Sequence, residues 1–234
     1  DRVFVPDMTF TATAAVLRYL GADPLLGDVE AGTTLLTPAL LDAAARRHPG
    51  AKAVMIVHYG GQAAQMDDED GHEGLRTVCA RHGLHMIEDA AHAFPSRRNG
   101  RPVGALGATT CFSFYANKTI TTGEGGMLVT DDDALARRVK VMRLHGINRD
   151  IWDRFTADKP AWEYDVIAPG FKYNLPDLNA AVGLAQLERA EEFRQGRQRC
   201  ALRYLARLAG HPGLEMPVLQ VAAEDHAWHI FPIV

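Results

Sequence analysis

Lys118 closes the run Cys111-Phe-Ser-Phe-Tyr-Ala-Asn-Lys118, and a Gly-Glu-Gly-Gly turn follows at Gly123 to Gly126. Upstream, the apolar run His85-Met-Ile-Glu-Asp89 ends in acid. An amine and a carboxylate, each delivered at the end of a buried strand, are what pyridoxal phosphate (PLP) chemistry requires. The amine condenses with the cofactor aldehyde, and the carboxylate keeps the pyridine nitrogen protonated so that the ring can draw electrons. Taken singly, Asp89 reads first as a helix N-cap before Ala90-Ala91, and Lys118 as a solvated loop lysine. Their joint placement is what points to chemistry.

The elements that must position the pair follow from periodicity. Apolar runs at Arg2 to Val5, Pro24 to Val29, Ala53 to Val57, His85 to Glu88, Thr109 to Phe114 and Gly126 to Thr130 read as strands. Helical patterns at Thr11 to Leu20, Pro38 to Arg47, Gly74 to His82 and Asp132 to Leu144 separate them. Continuous apolar strands alternating with helices predict an α/β fold with a mainly parallel sheet covered on both faces. Thr37-Pro38 supplies an N-cap followed by proline at the first helical position. In such sheets ligands sit beyond the carboxyl ends of the strands, where Asp89 and Lys118 both fall.

From Ile147 to Tyr173 the composition turns aromatic and rich in Gly and Pro, as in a long structured loop. Pro176 to Leu208 then reads as one long bridging helix, with a bend or close packing expected near Gly183 or Gly196. The expected domains are residues 1–175, a large cofactor-binding domain, and 176–234, the bridging helix with the start of a small domain. Arg2-Val-Phe-Val5 begins without lead-in and Ile230 to Val234 stops inside an expected strand, so both domains are expected to be incomplete. The acidic patch Asp67 to Asp70 reads as a solvated loop before a helix.

Bulk properties exclude other classes. The 234 residues carry a net charge of -4, with 47% hydrophobic and 23% charged residues, an ordinary globular composition without the basic surplus of a nucleic-acid binder. Cys79, Cys111 and Cys200 are dispersed and lack metal-type spacing, which suits a reducing cytoplasm. Neither a signal-peptide pattern nor a bilayer-length apolar stretch is present, so no membrane partner is expected.

The ordered set Ile87-Glu-Asp-Ala-Ala-His-Ala93, Phe112-Ser-Phe-Tyr-Ala-Asn-Lys118 and Thr122-Gly-Glu-Gly-Gly126 resembles the sugar aminotransferase family named for DegT, DnrJ and StrS. The likeness extends through Val5-Pro-Asp-Met-Thr-Phe10, Ala12-Thr13, Val57-His-Tyr-Gly60, Arg143-Leu-His-Gly146, Pro169-Gly-Phe-Lys-Tyr-Asn174 and His226-Ala-Trp-His229. Around Lys172 and Trp228 it looks most like the branch that forms aminoarabinose.

This resemblance implies a fold-type-I, PLP-dependent homodimer with active sites shared between subunits. It matches Lys118 to the cofactor-binding lysine and Asp89 to the pyridine-nitrogen partner. His92 falls near the ring hydroxyl, with a helix-face histidine as the alternative. Ser113 matches a phosphate contact, and Phe10 a stacking aromatic, with plain core as its alternative. Asn174 matches a residue reaching the neighbouring subunit's cofactor phosphate, with Lys172 and Tyr173 close by. His229 reads chiefly as a half-buried strand histidine.

Two departures from the family pattern stand out. A Gly-Thr-rich phosphate cradle upstream is not in this chain, and the region after Met66 is longer, which is expected to alter only a surface loop.

The implied reaction moves an amino group from glutamate to a nucleotide-linked ketosugar. The dehydratase branch carries histidine where Lys118 stands. A non-catalytic binder of PLP or sugar on the same scaffold is the alternative from another class. A nicotinamide dehydrogenase lacks support, since no Gly-x-Gly-x-x-Gly turn follows an early strand.

Overall fold

The computed structural model describes residues 1–107, 109–148 and 164–233. Its centre is a sheet of six strands: β1 (Arg2–Pro6), β2 (Asp23–Gly27), β3 (Ala51–Val57), β4 (His85–Asp89), β7 (Thr109–Ser113) and β8 (Gly126–Thr130), in the order β2-β1-β3-β4-β7-β8. All neighbours are parallel except β7 and β8. The expected α/β fold with a mainly parallel sheet is therefore present. A two-stranded ribbon, β5 (Arg97–Arg98) with β6 (Arg101–Pro102), was too short to show as a periodic run.

Side-chain alternation divides the sheet into two faces. Phe4, Val54 and Ile56 join a large core with α2 (Pro38–Arg47) and α3 (Leu75–His82), including Leu41, Leu75 and Val78. Val3, Val5 and Ala53 face the other way, against Leu17 of α1 (Thr11–Tyr19). Burying a side chain such as Leu41 or Ile56 stabilises the fold by roughly 1.5–3 kcal/mol. Thr37 caps α2 by accepting from the Leu40 N–H at 3.3 Å, with Pro38 next, as the sequence predicts. Asp132 caps α4 (Asp133–Met142) through Ala134 and Leu135 at 2.8 and 3.0 Å.

Three expectations need correction. The bridging segment is two helices, α5 (Asp177–Glu188) and α6 (Ala190–Leu208), broken at Arg189 rather than at either glycine, while Gly183 does pack closely, a Cβ there standing 2.9 Å from Thr122 Cγ2. Arg189 leaves helical geometry (φ −107°, ψ 6°), pairs with Glu192 and lays its guanidinium over the Phe193 ring at 4.8 Å. Phe193 packs beside the cluster of Phe114, Ile120 and Ala190, which fixes where α6 starts. Residues 230–233 form no strand; residues 214–233 run as an irregular strap back across the large domain. Of the aromatic loop, residues 149–163 lie outside the described residues.

The acidic patch is the third correction. Asp67 pairs with Arg76 and Arg101, and Asp68 accepts from the Gly74 N–H at 2.8 Å. Glu69 pairs with the buried Arg98, which also donates to the Ala63 carbonyl at 2.8 Å. A loop expected to be solvated therefore clamps a buried guanidinium. Among the described residues, no helix is long and apolar enough to cross a membrane.

Removing one member of a largely buried ion pair leaves an uncompensated charge. Arg98→Ala should lower unfolding stability by about 3 kcal/mol in chemical denaturation, and Arg101→Ala, at an exposed pair, by well under 1 kcal/mol. Equal effects would mean that the loop does not clamp the core.

Candidate active site

Strands β3, β4 and β7 end at one edge of the sheet, with Val57 level with Asp89 and Asp89 level with Cys111. Asp89 is the last residue of β4 and projects toward the α1 face. Its Oδ1 accepts from the Ala91 N–H at 3.0 Å and its Oδ2 from the Thr13 hydroxyl at 2.8 Å. The chain after Asp89 turns without forming a helix, so both helix-based alternatives, for Asp89 as helix cap and for His92 as helix face, are corrected. The first oxygen does cap a turn; the second is held by a helix from across the sheet.

Lys118 lies in the turn after β7, its N–H donating to the Tyr115 carbonyl at 3.0 Å. Its Nζ is 3.5 Å from His229 Nε2. Burial lowers the Lys118 pKa and the charge on Asp89 opposes that shift, so amine and carboxylate are within electrostatic reach. Arg197 of α6 donates to the carbonyls of Asn117 and Lys118 at 3.2 and 3.4 Å, fastening this turn to the helix. A cleft of about 670 Å³ opens here, lined by Lys118, Arg197, Tyr204, Trp228 and His229 among others.

His92 and His229 lie against each other at a tilt of 40°, with ring centroids 4.5 Å apart. Burial pushes His92 down to about 4, helped by Lys118 and opposed by Asp89. Burial, with the positive charge nearby, pushes His229 down to about 3. His226, stacked on Trp228 at 4.1 Å, is pushed by burial to about 3, and its Nδ1 accepts the Trp228 N–H at 2.8 Å. His229 thus belongs to the Lys118 cleft, which corrects its reading as a strand histidine.

The other expected residues are dispersed. Phe10 is the N-cap of α1 and its ring is 71% exposed, which excludes the core alternative and leaves an aromatic face open near Thr13. Ser113 Oγ accepts from the Tyr115 N–H at 3.3 Å. Asn174, paired with Lys172, lies in a separate groove between β8 and α4 and does not line the Lys118 cleft.

Sequence reasoning missed roles for Thr13, His58, Glu88 and Arg197. Thr9 and Thr13, whose hydroxyls meet at 2.7 Å, are polar residues one helical turn apart at the sheet side of α1, a readable signal. The burial of Thr13, only 2% exposed, was not readable.

The residues present fit PLP. A carboxylate with free lone pairs stands at one end, a partly desolvated amine at the other. His229 Nδ1 is a buried polar atom without a hydrogen-bond partner among the described residues.

A mainly parallel α/β sheet with a lysine and an aspartate at its carboxyl edge is the arrangement that comparison with known proteins places among aminotransferases. Residues 1–234 match the DegT/DnrJ/EryC1/StrS aminotransferase family, and the chain belongs to that family. It is 40% identical over 231 residues to the spore coat polysaccharide biosynthesis protein SpsC of Bacillus subtilis (strain 168), covering 99% of this chain and 57% of that protein. The structure of DesV of S. venezuelae, solved with a ketimine intermediate, superposes with a TM-score of 0.84 at 33% identity, over 100% of this chain and 57% of that one. The PLP form of the putative sugar aminotransferase Spr1654 of Streptococcus pneumoniae gives 0.81 at 27% identity, over 100% and 60%. The chain thus spans little more than half the length of the curated relatives it matches.

The folded state takes up protons on His92, His226 and His229 less readily than the unfolded chain does, whose histidines titrate near 6.5. Their contribution is complete above about pH 6.5 and is lost as pH falls toward 4. Thermal denaturation should show that decline. His226→Asn, which keeps an acceptor for the Trp228 N–H, should flatten it by about 1 kcal/mol per pH unit; an unchanged slope would exclude His226 as a contributor.

Proposed function

We propose that the protein transfers an amino group from glutamate to a nucleotide-linked ketosugar, giving an aminosugar. The observation that carries this reading is that Asp89 ends β4 and Lys118 lies in the turn after its neighbour β7, in a chain of a sugar aminotransferase family. When bound, PLP supplies an aldehyde that condenses with amines and a ring that withdraws electrons.

In this reading Lys118 Nζ anchors the cofactor and, once displaced by the amino donor, acts as a neutral base. It takes the proton from the donor's α-carbon and returns it nearby. Burial favours the neutral amine, in the direction a base needs. Asp89 holds the ring nitrogen protonated, and Thr13 with the Ala91 N–H aims its carboxylate. His92 would stand near the ring hydroxyl, Phe10 would cover one ring face, and Ser113 would meet the phosphate. In the second half-reaction Lys118 moves the proton the opposite way, and the amine passes to the sugar.

A second copy of this chain is the proposed partner, with Asn174 completing the neighbour's phosphate site. Supporting this, α5 buries none of its side chains and presents Leu178, Val182, Leu184 and Leu187 to solvent, 83%, 49%, 67% and 51% exposed. Phe171 and Tyr173, stacked at 5.0 Å, extend that apolar surface beside Asn174. Among acceptors, the ketosugar whose amination gives an aminoarabinose-type product is the first to try, given the resemblance around Lys172 and Trp228.

Lys118→Ala should retain cofactor binding yet lose the visible band of the lysine-bound cofactor, and with it turnover across a panel of nucleotide ketosugars. Near-normal turnover would end the proposal. Mixing Lys118→Ala with Asn174→Ala subunits should restore part of the activity that each lacks alone. Absence of any recovery in a proven mixed dimer would place Asn174 outside the shared site.

A further inference from the structure

On the sheet face opposite Asp89 lies a carboxylate that the proposed chemistry does not use. Glu88 is 0% exposed, as is His58, and Thr110 is 1% exposed. The Ala64 N–H donates to His58 Nδ1 at 3.0 Å, which places the ring proton on Nε2. That nitrogen donates to Glu88 Oε2 at 2.9 Å, and the Thr110 hydroxyl donates to Glu88 Oε1 at 3.2 Å. Gly107 makes room: a Cβ there would stand 1.5 Å from Glu88 Oε1. Burying a charge is costly even when it is well partnered, and well-packed apolar residues commonly replace such pairs without loss of stability.

We propose that the His58–Glu88 pair is a positioning device for the cofactor site, fixing Asp89, His92 and His229 together from behind the sheet. The inference rests on the reading that PLP sits between Lys118 and Asp89. Three connections carry it. The His58 main-chain N–H donates to the Asp89 carbonyl at 3.0 Å, setting the end of β4. The chain then enters the 3₁₀ turn Tyr59–Gly61, where the Gly60 N–H donates to His92 Nδ1 at 3.3 Å and the Tyr59 ring meets His92 edge-on at 5.6 Å. The carbonyls of Gly60 and Gly61 receive the N–H groups of Ile230 and Ala227, each at 3.0 Å, which hold His229 beside Lys118. Gly61 sits at φ +104°, where a Cβ would come within 2.9 Å of the Trp228 nitrogen, so this junction is tight. A shift of the His58 ring therefore reaches three groups around the cofactor, although His58 itself touches none of it.

The test compares cofactor affinity with stability in Glu88→Gln, Glu88→Leu and the double variant His58→Phe/Glu88→Leu. PLP dissociation constants come from absorbance titration, the pH midpoint of the visible band from spectra, and Tm from denaturation. Glu88→Gln keeps an acceptor for His58 Nε2 and should bind PLP close to the wild-type level. Glu88→Leu and the double variant should bind about 10- to 100-fold more weakly, with a displaced band midpoint, while the apolar double variant recovers Tm. If affinity merely follows Tm across the three, or the double variant binds normally, the pair only fills the core and the proposal falls. Should the unaltered protein bind no PLP, the functional reading fails instead.

Discussion

One ring can be gripped from two ends only if the strands bearing the grips share an edge and a register. Asp89 and Lys118 come to the same edge of the sheet because β3, β4 and β7 run parallel with Val57, Asp89 and Cys111 level. Register has a sharp consequence here, because neighbouring residues of a strand face opposite ways. A slip of one residue would exchange Asp89 with Glu88, turning the carboxylate held by Thr13 into the compartment of His58 and Thr110. The two adjacent acids on β4 thus serve two faces, and each is held by its own set of donors.

Much of this frame is legible in the sequence for a simple reason. Strands covered on both faces carry short runs dominated by apolar residues, and β1, β3 and β4 were read almost to the residue. Helices with local caps, such as Thr37-Pro38 and Asp132, carry their boundaries in a few adjacent residues. The break at Arg189 was invisible because the apolar 3.6-residue pattern continues across it. Only the packing of Phe193 beside Phe114 and Ile120, from a distant strand and turn, decides where α6 begins.

The site was legible in the same uneven way. Lys118 and Asp89 announce themselves by type and by position at strand ends. Thr13, His58 and Arg197 owe their roles to partners 76, 30 and about 80 residues away, which no local pattern encodes. Glu69 was misjudged because an acidic run normally faces water, whereas here Arg98 arrives from the β5–β6 ribbon to meet it. Composition can identify a charge but not the counter-charge that the fold brings to it.

Burial also resolves an electrostatic difficulty in the cleft. Lys118, His92, His229 and Arg197 crowd one region, and Asp89 is the carboxylate whose field is felt at both Lys118 and His92. Were both histidines charged, four cations would oppose that acid. Desolvation keeps the imidazoles neutral and, by the same physical effect, moves the Lys118 amine toward the uncharged form a base requires. Part of that desolvation comes from the strap bearing Trp228 and His229, which stays in place through backbone hydrogen bonds to Gly60 and Gly61. The protonation states around the lysine therefore depend on main-chain contacts of two glycines, which His58 joins to the end of β4.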